Sequence, residues 1–303
     1  MKKIIKTAFL LPLLGVSICL TGCGQTTSNS SGTTDDYGID TELSGPRLLV
    51  KLHEIVIDKH TTYIPYARFV SYIQAGTSPR SVDQSGTNST QNEMFYSGKL
   101  VSKNTSVSRE HVWACANSSS MWTHNSADGT HYVDGNGYRG GGSDLYHIRP
   151  CTSELNTYRG SGKFYEFSES ETTFTHGDGG PYSIKTDTND AFAKKVEPAD
   201  EFKGDIARIL MYVYVHYSSG LGDNSKYKDT PVADYLGNLN LANVFNSTYS
   251  ISEVQAMLVK WTKLDPVSET EKLRNDTVEQ IQGNRNPFVD HPDYMARCFS
   301  IEE

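Results

Sequence analysis

The stretch SREHVWACANSSS, residues 108–120, sets an arginine, a carboxylate and an imidazole side by side, just ahead of a polar, glycine-rich segment. A histidine is a general base near neutral pH. A glutamate holds a hard divalent cation through oxygen. Together Glu110 and His111 are two of the parts needed to cut a phosphodiester: a base for water, and a cation site to offset negative charge as it develops. Read without chemistry, the same residues are a half-buried strand with one hydrogen-bonded histidine. Geometry adds a condition. Neighbours on a regular strand point to opposite faces, so both serve one site only if the strand ends or bends there.

A second segment, SDLYHIRPCTSELNTYRG, places Asp144, His147, Arg149, Asn156 and Arg159 within sixteen positions. Thr152 or Ser153 is a suitable cap for a helix, and on that helix Thr152, Asn156 and Arg159 share a face. A neutral amide oxygen is a sound second ligand for Mg²⁺, which keeps most of its waters. A nearby arginine can hold phosphate through its fork of donors. The plainer reading pairs Asp144 with His147 structurally and lets Asn156 brace a loop. HEIVIDKH (53–60) lacks the one-turn spacing of a zinc-protease pair, since His53 and His60 are seven apart. His124 and His131 receive no role. In QGNRNPFVDHPDY, Arg285, Asp290 and His291 look chemical but read as loop bracing, with Asp290 as a helix cap.

These residues need a frame to hold them. Residues 1–22 have a lysine-rich start, a short apolar run broken by Pro12 and Gly15, and the ending Leu20-Thr21-Gly22-Cys23. That reads as an export signal, and its ending resembles a bacterial lipoprotein cleavage box, which implies lipid on Cys23. Its removal takes away Lys2, Lys3 and Lys6 and no acid, leaving 25 basic against 36 acidic side chains and a net charge of −11. Such a balance argues against a generally basic nucleic-acid coat, so any polyanion must be met by a local basic patch or a metal ion. Residues 23–43 are rich in Ser, Thr, Gly and Asp and read as a tether.

From Pro46, Leu48, Leu49, Leu52, Ile55 and Val56 recur at helical spacing. A short helix is expected over 64–75, a polar loop over 77–92, and extended pieces at 94–101 and 109–113. An irregular excursion covers 118–143, and 144–150 reads as a buried strand stopped by Pro150. Helices are expected over 198–217, 251–263 and 266–282, with a last short one starting at Asp290. The pattern is one helix-rich, mixed α+β domain over 44–303. Export favours disulfides. Cys115 and Cys151, each just after one of the two motifs, are the candidate pair, with Cys298 left free; no C-x-x-C pair points to zinc.

SREHVWACA, DLYHIRP and LNTYRGSGKF, in that order, resemble the bacterial extracellular endonuclease I family, which is built around a ββα-metal finger. MFYSGKL, GDIARILMYVYVHY (204–217) and the long segment 258–294 resemble the same family, so the likeness spans about residues 48–299. It implies that His111 is the general base, that Glu110 and Asn156 hold one Mg²⁺ (with Mn²⁺ or Ca²⁺ as substitutes), and that Arg149 and Arg159 are the candidate phosphate clamps. It implies that Asp144 and His147 orient the site without ligating. Tyr146 stands where the family more often has histidine. The implied protein is an exported monomer, a cell-envelope lipoprotein or extracellular, touching membrane only through its lipid. It would hydrolyse DNA, and RNA as the alternative substrate, with little sequence preference and 5′-phosphate products. The rival readings are a phosphodiesterase restricted to RNA or small nucleotides, and a non-catalytic surface lipoprotein on a nuclease scaffold.

Overall fold

In a computed structural model, the described residues are 33–64, 66–73, 82–85, 90–117, 140–191, 193–230, 233 and 235–301. The signal segment, Cys23, His124 and His131 therefore lie outside the described residues. The chain divides into two units, residues 1–41 and residues 42–303. In the first, the Asp35 carboxylate accepts the N–H groups of Tyr37 and Ile39, and Thr34 bridges to Asp40.

The second unit opens with α1 (Gly45–Lys59), which has Pro46 in its first turn and buries Leu48, Leu49, Leu52 and Val56, as its periodicity requires. A short α2 (Phe69–Ile73) follows. Strands β1 (Gln91–Glu93) and β2 (Leu100–Ser102) pair antiparallel. Of residues 94–101, expected as one extended piece, only Leu100 and Val101 are strand; residues 94–99 form the turn between β1 and β2, with Met94 N–H donating to Lys99 O and Gly98 N–H to Met94 O. The turn requires left-handed backbone at Gly98 (φ +63°) and, unusually, at Tyr96 (φ +69°). A periodicity argument cannot see such a turn, because Tyr96 is a poor residue for that conformation and is held there by tertiary contacts.

Next come β3 (Ser108–His111) and β4 (Ile148–Cys151), paired antiparallel with Glu110 opposite Arg149 and His111 opposite Ile148. Helix α3 (Ser153–Arg159) leaves β4 directly, with the Thr152 hydroxyl accepting Leu155 N–H as its cap. The strand expected over 144–150 is shifted. Residues 144–147 are a turn in which Asp144 O accepts from His147 and Ile148. Pro150 lies inside β4 opposite Arg109 rather than ending it; a two-stranded ribbon has open edges that tolerate a missing N–H.

A small sheet of order β5-β8-β7-β6 is built from β5 (Lys163–Phe164), β6 (Phe174–His176), β7 (Ile184–Thr186) and β8 (Lys195–Glu197). Helix α4 (Lys203–Tyr217) is buried on nearly every face and packs against α1 and α5 (Ile251–Leu264). Helices α5 and α6 (Glu269–Gln282) both start with capping boxes, Ser250/Glu253 and Ser268/Glu271. The last helices are α7 (Pro287–Asp290) and α8 (Tyr294–Phe299). Asn286, not Asp290, caps α7, and Asp290 ends it. The architecture is the mixed α+β arrangement expected, with a ββα unit (β3, β4, α3) at its centre. Among the described residues no helix is long and apolar enough to cross a membrane.

Candidate active site

Strand β3 ends at His111. Alternation places Ser108 and Glu110 on one face and Arg109 and His111 on the other. Glu110 is buried, and its Oε1 accepts the Tyr96 hydroxyl at 2.7 Å and faces Arg159 Nε at 3.3 Å. Among the described residues both partners engage Oε1. Burial pushes the Glu110 carboxyl up, against the pull of Arg159 and Tyr96. On α3, Asn156 Nδ2 donates to Ser108 Oγ at 2.7 Å, which ties it to the strand face that carries Glu110. A carboxylate oxygen and an amide oxygen suit a hard divalent ion.

His111 Nε2–H donates to Gly142 O at 2.9 Å, which leaves the basic lone pair on Nδ1. His147 accepts the Trp113 N–H at Nε2 (2.9 Å) and therefore donates from Nδ1 to Gly141 O (2.6 Å), a neutral tautomer. The two rings lie 5.6 Å apart. Burial, then the neighbouring His147, holds His111 down to about 3, and burial holds His147 down to about 4. The glycine run explains itself here: Gly140 has φ +57°, and a Cβ on it would lie 2.5 Å from the Tyr235 ring. Position 140 therefore requires glycine, and the carbonyls of the next two residues reach the two imidazoles.

Asp144 anchors that loop. Its Oδ2 accepts the hydroxyls of Tyr212 and Tyr217, both at 2.7 Å, and its Oδ1 accepts Tyr146 N–H and Gln282 Nε2. His216 Nδ1 lies 3.4 Å away, and His216 Nε2 meets His60 Nδ1 at 3.2 Å. His60, Asp144 and His216 each bring a ligand atom within 4.8 Å of the others, a donor set that could hold a metal. As arranged, those atoms are spent on hydrogen bonds. Tyr146, in the position the family more often gives to histidine, sends its hydroxyl to the carbonyls of Asn275 and Asn284.

The two candidate clamps sit elsewhere than expected. Arg159 is fully buried; Nη1 donates to Gly160 O and Gly162 O, Nη2 to Val112 O, and Nε faces Glu110. Arg149 sends Nε to Asp83 Oδ1 at 3.1 Å and lies over the Phe95 ring. The Arg159 guanidinium presents no free fork, whereas Arg149 is tied through Nε, with its Nη1 3.9 Å from Asp205 Oδ2. Cys115, Cys151 and Cys298 are all thiols, so the candidate Cys115–Cys151 bridge is absent; Cys151 Sγ turns inward to Phe95 O at 3.7 Å. Arg285 binds Asp290 through two donors and also Asp276 and Glu279, a structural clasp. Tyr66, Tyr96, Ser108 and the Gly141 and Gly142 carbonyls belong to the site and were not singled out by motif. The Gly140–Gly142 run was the one local signal for them.

The buried histidines make a pH prediction. Burial lowers His60 from 6.5 to about 4. Above pH 6.5 neither state is protonated there. As pH falls toward 4, the unfolded chain takes up a proton that the folded one refuses, so stability is lost. Asp144, whose carboxyl is held below the usual range by its His216, His60 and Tyr212 contacts against burial, adds loss at still lower pH. Asp265, pushed up to about 7 by burial and Asp205, and Glu271, also raised, act in the opposite direction. The clean readout is therefore a difference. A His60→Gln variant should lose about 3 kcal/mol less than wild type on acidification through this window, by denaturant titration. Equal slopes would remove His60 from the account.

The chain was compared with known proteins. A family model described as Endonuclease I matches residues 52–293. An extracellular ribonuclease of Bacillus subtilis (strain 168) is 30% identical over 269 residues, covering 86% of this chain and 77% of that protein. An extracellular ribonuclease of Bacillus amyloliquefaciens is 31% identical over 272 residues, covering 88% and 78%. Endonuclease-1 of Buchnera aphidicola subsp. Baizongia pistaciae (strain Bp) is 26% identical over 147 residues, covering 48% and 46%.

Proposed function

Since the chain belongs to the endonuclease I family, and is by that membership a nuclease, we propose that it is an exported, Mg²⁺-dependent endonuclease that cuts RNA and DNA with little sequence preference. The observation that carries this reading is the pairing within one finger of a neutral His111, held through Nε2 by Gly142 O, with Glu110 and Asn156 on the ribbon and its helix. His111 Nδ1 takes a proton from water, the water oxygen attacks phosphorus in line, and the bond to the 3′ oxygen breaks. The leaving oxygen is protonated by solvent, and the product carries a 5′-phosphate. Because water and not the ribose 2′-hydroxyl is the nucleophile, both nucleic acids are substrates.

Glu110 Oε2 and Asn156 Oδ1 would hold one Mg²⁺, with Mn²⁺ or Ca²⁺ as alternatives. Bound there, the ion offsets charge developing on the phosphate oxygens. Asp144 and His147 orient His111 through the glycine loop. Arg159 acts as a brace for Glu110 rather than as a clamp. The names of the two Bacillus relatives support RNA as a substrate and export as the destination. The Leu20–Cys23 ending supports lipid on Cys23, with residues 23–43 as tether and 44–303 as a monomeric nuclease domain.

The test is cleavage of plasmid DNA and of single-stranded RNA, with Mg²⁺, with EDTA, and with Mg²⁺ restored. Chelation should reduce the rate at least about 100-fold on both substrates, and added Mg²⁺ should recover it. Full activity in EDTA would overturn the metal assignment. No cleavage under any divalent ion would favour the non-catalytic binding reading.

A further inference from the structure

The chemistry proposed above needs a cation at the substrate phosphate, and the arginines first nominated are committed inside the protein. Arg159 is spent as described, and Arg149 is nine-tenths buried and held between Asp83 and Asp205. Arg208 and Arg274 are buried on Glu271 and Asp83. Arg109 differs. It is half-buried, two positions before His111 and on the same face of β3. Its Cζ lies 4.3 Å from the centroid of the Tyr66 ring. Among the described residues it makes no ion pair with a carboxylate, in a protein whose net charge is −8. The Tyr66 ring in turn lies nearly parallel to the His111 ring, 16° between planes and 5.7 Å between centroids.

We infer that Arg109, braced by the face of Tyr66, binds a substrate phosphate on the His111 side of the finger; the inference rests on the nuclease reading. A guanidinium packed flat on an aromatic ring keeps its N–H edges directed outward, and those edges match two oxygens of a phosphate. The ring limits the rotamers of a long side chain, so less freedom is lost when phosphate binds. A carboxylate partner would compete with phosphate, and none is supplied among the described residues. Tyr66 is then a positioning residue: it touches Arg109 and His111 and aligns the two groups that meet the substrate.

The experiment uses the full chain carrying His111→Ala, so that binding is read without cleavage. A fluorescent single-stranded 12-mer, as DNA and as RNA, is titrated in Mg²⁺ over a series of salt concentrations. Adding Arg109→Gln should weaken binding about tenfold or more. It should also flatten the slope of log K against log salt by about 0.7, the mark of one lost phosphate contact on a single strand. Arg109→Lys should keep the slope and recover part of the affinity. Tyr66→Leu should weaken binding about threefold and Tyr66→Phe should not, since phenylalanine keeps the ring face. All variants should unfold at the parent midpoint. Unchanged affinity and slope in Arg109→Gln, with the parent binding normally, overturns the inference alone. A parent that binds neither DNA nor RNA overturns the nuclease reading, and the inference with it.

Discussion

His111→Ala is expected to lower kcat on plasmid DNA and on RNA by roughly 10²–10⁴-fold, the range for removing a general base. KM should change far less, because the proposed phosphate contact and cation ligands lie on other residues. The reason is structural. His111 Nε2 is occupied by Gly142 O, so the ring is oriented with Nδ1 as its basic atom, and burial keeps it neutral across the physiological range. Among the described residues its neighbouring imidazole cannot replace it: His147 is locked between Trp113 N–H and Gly141 O, with both ring nitrogens committed. Folding should lose little beside the buried-pair change below, since the ring sits at a strand end and gives up one hydrogen bond and its ring contacts. A variant with wild-type kcat and an unchanged melting temperature would mean that another group activates the water.

The second large effect is on stability. Arg159→Met should cost about 3–5 kcal/mol, the range for leaving one member of a buried pair without its partner. In a unit of this size that is a fall of about 10 °C in melting temperature. Glu110 would stay buried with only Tyr96 to satisfy it, and the carbonyls of Val112, Gly160 and Gly162 would each lose a donor. Two further readouts separate a brace from a phosphate clamp. Lowering the pH should shrink the penalty, because a protonated Glu110 no longer needs a cation. Adding Glu110→Gln to Arg159→Met should likewise restore part of the stability. A clamp predicts the reverse: an unchanged melting temperature and a lower kcat/KM. An Arg159→Met protein that melts with wild type would return Arg159 to the substrate.

Much of the frame was legible in the chain itself, and the reason is range. The α1 stripe, the Thr152 cap and the capping boxes at Ser250 and Ser268 are each settled within a few residues, where backbone and side chain meet by construction. The Glu110-His111 pair and Asn156 could be nominated because their donor types suit the chemistry, and β3, β4 and α3 then appeared where those motifs required. Boundaries slipped where tertiary contacts overrode local preference. Tyr96 is held at φ +69° beside Glu110, and the turn before β4 is tied by Asp144 to residues from α4 and α6.

The long side chains were the least legible. An arginine reaches far enough to serve several neighbours, and its sequence position does not say which of them packing will bring near. Arg149 went to Asp83, Arg159 to Glu110, and Arg109 to the face of Tyr66, a residue more than forty positions earlier. Cys115 and Cys151 follow the same rule: each sits beside a motif, yet Cys151 faces inward to Phe95 O and both stay thiols. Local pattern thus determined which residue types stand at the finger and in what order. Tertiary packing alone decided their partners and protonation, because desolvation and ion pairing depend on what surrounds a group in space and not on what adjoins it in the chain.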